Sequence, residues 1–220
     1  MHRRCLTFLA FIAFGLVVAA SAQAPATSMP PGLVVVADVK GSARLVIDGR
    51  SSNLKADDHV PQTAILRTTV DSSISLVFSN GTTLRLGPGA ELVLWEFLQA
   101  PFAGAVPVAS SPQEPSISRT ALVLNRGELT GDVKRLRDDQ GSSFAITTAA
   151  GVVDSVGGSL QLAVQIAGTG SAAFSLKAVD REVGLTAPAD QTDTAATSRK
   201  RIVVQPGKEI GVSVQIAPNR

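Results

Sequence analysis

The chain has 220 residues, of which 20 are basic and 18 acidic, with one cysteine and two histidines. One cysteine excludes a disulfide framework, and so few cysteines and histidines leave no ligand set typical of zinc. The near balance of charge excludes nucleic acid as an expected partner, because such binding needs a clustered basic face. The only dense basic run, Arg199-Lys200-Arg201, is interpreted as a solvated strand entrance.

The first 22 residues have the pattern of a secretory signal peptide. Arg3 and Arg4 form a positive region before an apolar stretch from Leu6 to Ala19. Ala20-Ser21-Ala22 then supplies the small residues that a signal peptidase needs. The sequence therefore predicts export.

Cleavage is predicted after Ala22, so that Gln23 becomes the new N-terminus. Cleavage after Ala24 is a second choice, and an uncleaved membrane anchor is the alternative for the whole segment. Removal of the peptide takes away Cys5 and leaves 18 basic and 18 acidic residues. We expect a periplasmic or secreted protein that meets a membrane only through the signal peptide before cleavage.

After a flexible segment at residues 23–32, apolar residues recur with period two, as in half-buried strands. Ile74, Leu76 and Phe78 share one face of such a strand. The Asn80-Gly81 dipeptide that follows most readily takes the positive φ values of a type I′ turn. We predict a β-hairpin with its structural turn at Asn80 and Gly81, followed by a third strand from Glu91 to Phe97.

The alternation continues along the chain, and no window of 11 or more residues sustains a helical apolar stripe. We predict an all-β domain over residues 33–217, either twisted β-solenoid-like or a β-sandwich, built of short antiparallel strands and hairpins. Two loops interrupt it, at Gln99 to Ser118 and at Ala187 to Ser198. The other predicted strands are Leu33–Val39, Ala43–Ile47, Thr120–Asn125, Glu128–Leu136, Ser143–Thr147, Leu160–Ile166, Phe174–Val179, Ile202–Val204 and Ile210–Ile216.

The residues that catalysis or metal binding would use are sparse. His59 is the only histidine after the predicted cleavage site and is interpreted as a solvated turn residue. The acidic pairs Asp57-Asp58 and Asp138-Asp139 lack the spacing of a calcium loop and are interpreted as turn initiators. We predict no catalytic residue, no cofactor-binding residue and no metal ligand.

Two short motifs are interpreted as chance matches. Ser52-Asn53-Leu54-Lys55 fits the S-x-x-K pattern of penicillin-binding proteins, but it lies between strands and lacks the companion elements. Gly168-Thr169-Gly170-Ser171 lacks the lysine and following helix of a phosphate loop and is interpreted as a hairpin tip. Carboxylate pairs for glycoside hydrolysis come from distant strands, so the sequence alone does not exclude them. We expect no enzyme.

Five segments together resemble the FecR-like domain, an extracytoplasmic module named after the iron-citrate signal regulator. Two segments of this chain are similar to the family's opening strand pair and to its core hairpin. They are "VKGSARLVIDGRSSNLKADDHV" and "AILRTTVDSSISLVFSNGTTLRLGPGAELVL". Three further elements follow in the family's order: "LVLNRGELTGDV", "SSFAITTAAGVVDSVGGSLQLAV" and "IVVQPGKEIGVSV". The resemblance covers residues 34–214.

The resemblance implies a twisted β-solenoid-like fold that contacts other proteins and has no catalytic residues. The chain departs from the family at Gly158, where threonine is usual, and at Leu160, where an aromatic residue is usual. The family's signalling members also carry a cytoplasmic anti-sigma segment and a membrane span before this domain. The sequence shows only the predicted signal peptide there, so sigma-factor control is not carried over to this chain.

We therefore expect an exported, non-catalytic binding module with a protein partner in the cell envelope, in signalling or assembly. A glycan- or cell-wall-binding module is the alternative, supported by the β-rich fold and the Trp95-Phe97 pair. Strand addition at a sheet edge needs no reactive side chain. The candidate edges are the two terminal strands, Leu33 to Val39 and Ile210 to Ile216, and the alternative is that both strands pair within the fold.

Overall fold

The computed structural model describes residues 29–102, 111–167, 170–188 and 200–215. This part of the chain is all-β, as predicted, and contains no helix that could cross a membrane. One 3-10 turn, Asp138–Gln140, interrupts the strands. The strands are β1 Val34–Lys40, β2 Ala43–Ile47, β3 Arg50–Asn53, β4 Ala64–Thr68, β5 Ser73–Phe78, β6 Thr83–Leu86, β7 Glu91–Gln99, β8 Ser118–Val133, β9 Ser143–Thr148, β10 Gly151–Asp154, β11 Gly158–Ala167, β12 Ser171–Ala178, β13 Val183–Thr186, β14 Arg201–Val204 and β15 Glu209–Gln215.

The strands form one hydrogen-bonded network with two branches, which we name sheet A and sheet B. Sheet A has the order β3-β2-β4-β7-β8-β9-β10-β13-β14. Sheet B has the order β1-β5-β6-β8-β11-β12-β15. Neither branch closes into a barrel, and β8 is the strand that the two share.

The long strand β8 changes sheets part-way along its length. Residues up to Arg126 pair with β7 in sheet A, whereas residues from Gly127 onward pair with β11 in sheet B. Gly127 has a φ of +88°, and a Cβ there would lie 2.4 Å from the Ala90 Cα. Only glycine allows this backbone conformation at so close an approach. The bend at Gly127 therefore sends one strand into both sheets.

The sequence prediction of two strands here, Thr120–Asn125 and Glu128–Leu136, is wrong. Polar Asn125 and Arg126 before a glycine resemble a turn, but the chain bends there without reversing. The structure also contains one parallel pair, β8 with β9, although only antiparallel pairing was predicted. Four strands, β3, β4, β10 and β13, were not predicted; each has only four or five residues.

The two sheets face each other across one apolar core. Inward-facing side chains of both sheets belong to a single cluster of buried residues. The rings of Phe78 in β5 and Phe97 in β7 meet edge to face, with centroids 5.0 Å apart and an interplanar angle of 77°. This is a favourable aromatic geometry, and it joins sheet B to sheet A. The molecule is thus layered as in the β-sandwich alternative.

The predicted hairpin joins β5 to β6, but its turn differs from the prediction. Gly81 has a φ of +93°, whereas Asn80 is not among the described residues with positive φ. The Gly81 N–H donates to the Phe78 carbonyl at 2.8 Å, which closes a turn with Gly81 as its left-handed last residue. Loops of this form are type I turns followed by a glycine bulge, so type I′ at Asn80-Gly81 was wrong.

The type I′ turn occurs in another hairpin, between β2 and β3. Asp48 and Gly49 are the two loop residues, with φ values of +49° and +75°. Ile47 and Arg50 pair directly across them. Asp-Gly is a favoured dipeptide for this turn because both positions require positive φ. The sequence contained the signal, but it was interpreted only as the end of a strand.

Asn80 is instead part of a buried hydrogen-bond network. Its Nδ2 donates to the Ser118 Oγ at 3.0 Å, and its Oδ1 accepts from the Thr82 N–H at 3.0 Å. The Ser118 Oγ in turn donates to the Glu114 Oε2 at 2.5 Å. The Glu114 Oε1 accepts from the Arg137 N–H at 2.7 Å. Glu114 itself is only 1% exposed. The network holds the end of the 99–118 loop against the β5–β6 hairpin.

The structure describes part of the predicted N-terminal segment and part of each of the two predicted loops. The segment at 23–32 was predicted to be flexible; Gly32 in it donates to the Phe97 carbonyl, and the Pro30 carbonyl accepts from Gln99. The chain thus runs beside β7 before it enters β1 in sheet B. Residues 103–110 and 189–199 of the two predicted loops lie outside the described residues, as do Ala22 and Gln23 at the predicted cleavage site.

The bend at Gly127 can be tested with two alanine variants. Gly127→Ala should lose about 1–2 kcal/mol of unfolding free energy through its positive φ, plus roughly 1–3 kcal/mol because the new Cβ meets the Ala90 backbone. Gly141→Ala is the matched control, since Gly141 has a φ of +94° and open space around it. Urea denaturation should show the smaller loss alone for the control. Equal losses would mean that no close approach exists at Gly127.

The buried network predicts a large effect of Glu114→Ala. The variant leaves the Ser118 hydroxyl and the Arg137 N–H without an acceptor, which should cost about 2–3 kcal/mol of stability. Glu182→Ala removes an exposed carboxylate and should stay within about 0.5 kcal/mol of the parent. Thermal unfolding of the two variants makes the comparison. Equal melting temperatures would contradict the described burial of Glu114.

Candidate functional site

The side chains considered for chemistry lie in exposed turns and on an exposed edge strand. His59 is exposed, and its backbone bridges to Val35 in β1. Asp138 and Asp139 form the exposed 3-10 turn, far along the chain from Asp57-Asp58. Among the described residues, no group of three or more His, Cys, Asp or Glu side chains could hold a metal ion. Ser52 lies in β3 and not at a helix start, so the S-x-x-K match has no catalytic context.

The described part of the basic run lies at the entrance of β14. The Arg201 guanidinium contacts the Asp154 carboxylate at 2.5 Å across sheet A, and this hydrogen bond raises the pKa of Arg201. Gly184 lies between them, where a Cβ would meet both groups. Both side chains are substantially exposed, so the pair adds little stability. The position agrees with the predicted strand entrance.

Trp95 and Phe97 do not form a joint aromatic platform. Phe97 is fully buried in the core, whereas Trp95 is 61% exposed on the outside of sheet A. The register of β7 on β8 shifts between Leu94 and Glu96, which places Trp95 at a bulge. The pair cannot present two rings to one sugar. This removes the aromatic support for the glycan alternative.

Strand β1 is an edge of sheet B, but its outer side is occupied. The Val36 N–H donates to the Asp58 carbonyl at 2.9 Å, and its carbonyl accepts from the Asp57 N–H at 2.8 Å. The Val60 N–H donates to the Val34 carbonyl at 2.9 Å. Residues 57–60 therefore cover this edge. The prediction that β1 offers a free ladder is wrong, because a loop of the same chain fills it.

Strand β15 forms the opposite edge of sheet B and is not covered in this way. Its seven residues pair with β12, from Lys177 opposite Glu209 to Ser171 opposite Gln215. No described segment hydrogen-bonds to its other side. The sequence prediction of Ile210 to Ile216 as an edge strand is thus confirmed over residues 209–215, and Ile216 lies outside the described residues.

The direction of each backbone group in β15 follows from the ladder. The Ala178 N–H donates to the Lys208 carbonyl at 3.0 Å, and bonded pairs recur at every second residue of an antiparallel ladder. Ile210, Val212 and Val214 therefore bond to β12. The residues whose N–H and C=O groups point outward are Glu209, Gly211, Ser213 and Gln215.

The side chains of β15 alternate between the core and solvent. Ile210, Val212 and Val214 pack against the core but remain half-buried, and no described strand follows on their outer side. Ile202 in β14, the edge of sheet A, is 37% exposed. Since β14 and β12 approach each other across the core, both sheets end here with partly exposed apolar side chains. We name this region, formed by β14 and β15, the open end.

The other free edge strands carry features that discourage pairing. β3 at the far edge of sheet A has four exposed polar residues, Arg50 to Asn53. β14 also has four residues and begins with a charged arginine. Short length and charge are common protections of natural edge strands. β15 has seven residues and a single charge at Glu209, so it is the least protected edge among the described strands.

A second surface feature is a polar row across the outer face of sheet B. Each of its members is directly opposite the next across all seven strands. Two shallow depressions of about 480 and 320 Å³ flank the row near Arg85 and near Gln161. The members are Asp38, Ser75, Arg85, Thr130, Gln161, Lys177 and Glu209.

Few of these side chains are bound to one another. The Arg85 guanidinium donates to the Ser73 Oγ at 2.9 Å, and neither Arg85 nor Lys177 forms a salt bridge with another described residue. The polar side chains of the row lie on neighbouring strands and are therefore spaced by one strand separation, about 4.8 Å. Sequence reasoning missed this row because its members come together only through the register of seven strands.

Comparison with models of known protein families finds no match, and comparison with curated proteins finds none either. The FecR-like resemblance therefore stays a prediction.

Proposed function

We propose that the chain is an exported, non-catalytic FecR-like binding module of the cell envelope, which engages a protein partner in signalling or assembly. The observation that carries this proposal is the outer side of β15, with which no described segment of the chain pairs. A partner strand would find outward N–H and C=O groups at alternate residues there. Backbone hydrogen bonds of this kind supply affinity without reactive side chains.

The half-buried side chains of β15 support the same mode of binding. An added strand would continue the inner apolar layer formed by Ala172, Phe174 and Leu176 in β12 and by the half-buried residues of β15. Its own inward side chains would cover Val212 and its neighbours. Such alternate pockets provide specificity in strand addition. The predicted signal peptide supports a location in the periplasm or outside the cell.

The proposal predicts cross-linking from the edge and not from the sheet faces. A photo-reactive amino acid at position 211 should give adducts with another envelope protein in cells. The same probe at position 161, on the outer face of sheet B, or at position 123, on the outer face of sheet A, should give none. Mass spectrometry identifies the adducts. Adducts from the two faces alone would contradict strand addition at β15.

A proline variant makes this test specific for the backbone ladder. Ser213→Pro removes one outward N–H, and edge strands tolerate proline where that group faces solvent. The probe at 211 should lose its adducts in this variant and keep them in the matched Ser213→Ala control. Circular dichroism and the melting temperature check that both variants fold.

The glycan-binding alternative is favoured by one observation, the polar row of sheet B. Sugar hydroxyls need convergent donors and acceptors, and Arg85, Thr130 and Gln161 present both on neighbouring strands. In this case Arg85→Ala and Gln161→Ala should each lower retention of the protein on purified peptidoglycan, and Ser213→Pro should leave it unchanged. Under the protein-partner proposal, the parent protein is not retained at all.

A further inference from the structure

We propose that two copies of this chain associate through their β15 edges, with the strands antiparallel about a two-fold axis that passes midway between the two Val212 residues. This inference rests on the strand-addition mode of the proposed function and deepens it by naming a second copy as the occupant of the same edge. The occupant is a second copy because the strand is complementary to itself in one register. The argument uses the side-chain alternation, the ladder and the charge of β15.

The alternation of β15 limits the registers that a second copy can take. Residues directly opposite in an antiparallel pair have their side chains on the same face of the sheet. Ile210, Val212 and Val214 face the core, so they must oppose one another and not the exposed residues between them. A two-fold axis midway between the two copies of residue 211, 212 or 213 satisfies this condition.

The ladder selects the axis at Val212 among these. With that axis, Glu209 is opposite Gln215 of the second copy, and Gly211 is opposite Ser213. All four residues with outward N–H and C=O groups then lie in bonded pairs within the described strand. An axis at 211 or 213 leaves one of the four without a partner in β15. The Val212 register therefore forms the longest ladder.

Side-chain chemistry agrees with the same register. On the inner face, Val212 meets its counterpart and Ile210 meets Val214, so the apolar layer of the core continues across the pair. On the outer face, the only charged residue of the strand, Glu209, is opposite the Gln215 amide. No like charges face each other, which would be destabilising. Ile202 of β14 adds apolar surface at the same open end.

The association can be measured by light scattering after size-exclusion chromatography of the exported chain. The parent should show twice the mass of a monomer at high concentration and fall toward the monomer on dilution. Ser213→Pro should remain a monomer at every concentration, and Ser213→Ala should behave as the parent. A parent protein that is monomeric throughout would overturn the proposal.

The register is tested by single cysteines in a Cys5→Ser background, which leaves no other thiol. Val212→Cys places two sulfurs at a directly opposed, non-bonded pair with Cα atoms about 4.5 Å apart, within the range for a disulfide. Mild oxidation should yield a covalent dimer. Ser213→Cys is the control, because its counterpart lies two residues along the partner strand, beyond about 7 Å. Efficient linkage at 213 with none at 212 would overturn the register.

The outcomes separate this inference from the proposed function. If the purified chain is monomeric but the probe at 211 yields adducts with a different protein in cells, self-association is wrong and the envelope-partner proposal stands. If the chain dimerises through Val212 and no other protein is cross-linked, the edge belongs to the dimer and the different partner is wrong. Absence of both results overturns both proposals.

Discussion

The architecture depends on one constraint: β8 must serve as an interior strand of two sheets at once. Its first half lies between β7 and β9, and its second half lies between β6 and β11. The change of sheet occurs at Gly127, where positive φ and the approach to Ala90 leave no room for a side chain. Because the two sheets are linked in this way, their inner faces are held opposite each other and Phe78 can meet Phe97 across the core.

The two edge strands of sheet B differ because a described segment of the same chain covers only one of them. Near β1, residues 57–60 supply backbone partners for Val34 and Val36. Near β15, no described segment does so, and three apolar side chains remain half-buried. In the proposed function, this edge recognises another chain through backbone polar groups that would otherwise be satisfied by water. The outer face of sheet B offers a separate polar surface, and the two need not serve the same ligand.

The sequence predicted the fold class and the edge position of β15, because period-two alternation and the absence of proline are local properties of a strand. It could not predict which strands are neighbours. The continuity of β8 was missed because Asn125, Arg126 and Gly127 look like a turn until both sheets are known. Buried Asn80 was missed because its partner Ser118 is distant in sequence. Buried Glu114 was missed because it also accepts from Arg137, 23 residues away. The polar row and the cover over β1 also depend on long-range register, which no local pattern contains.

Sharing β8 also has a consequence for the order in which the protein can mature. Strands β6 and β7 precede β8 in the chain, and each uses β8 as its partner on one side. Until residues 118–133 have been delivered, both strands present unpaired backbone, and neither sheet can be completed. Non-local pairing of this kind is slow, and open strands in an intermediate are prone to aggregate. The first half of the chain thus keeps open strand edges until β8 is added, whereas the second half meets a template that is already formed.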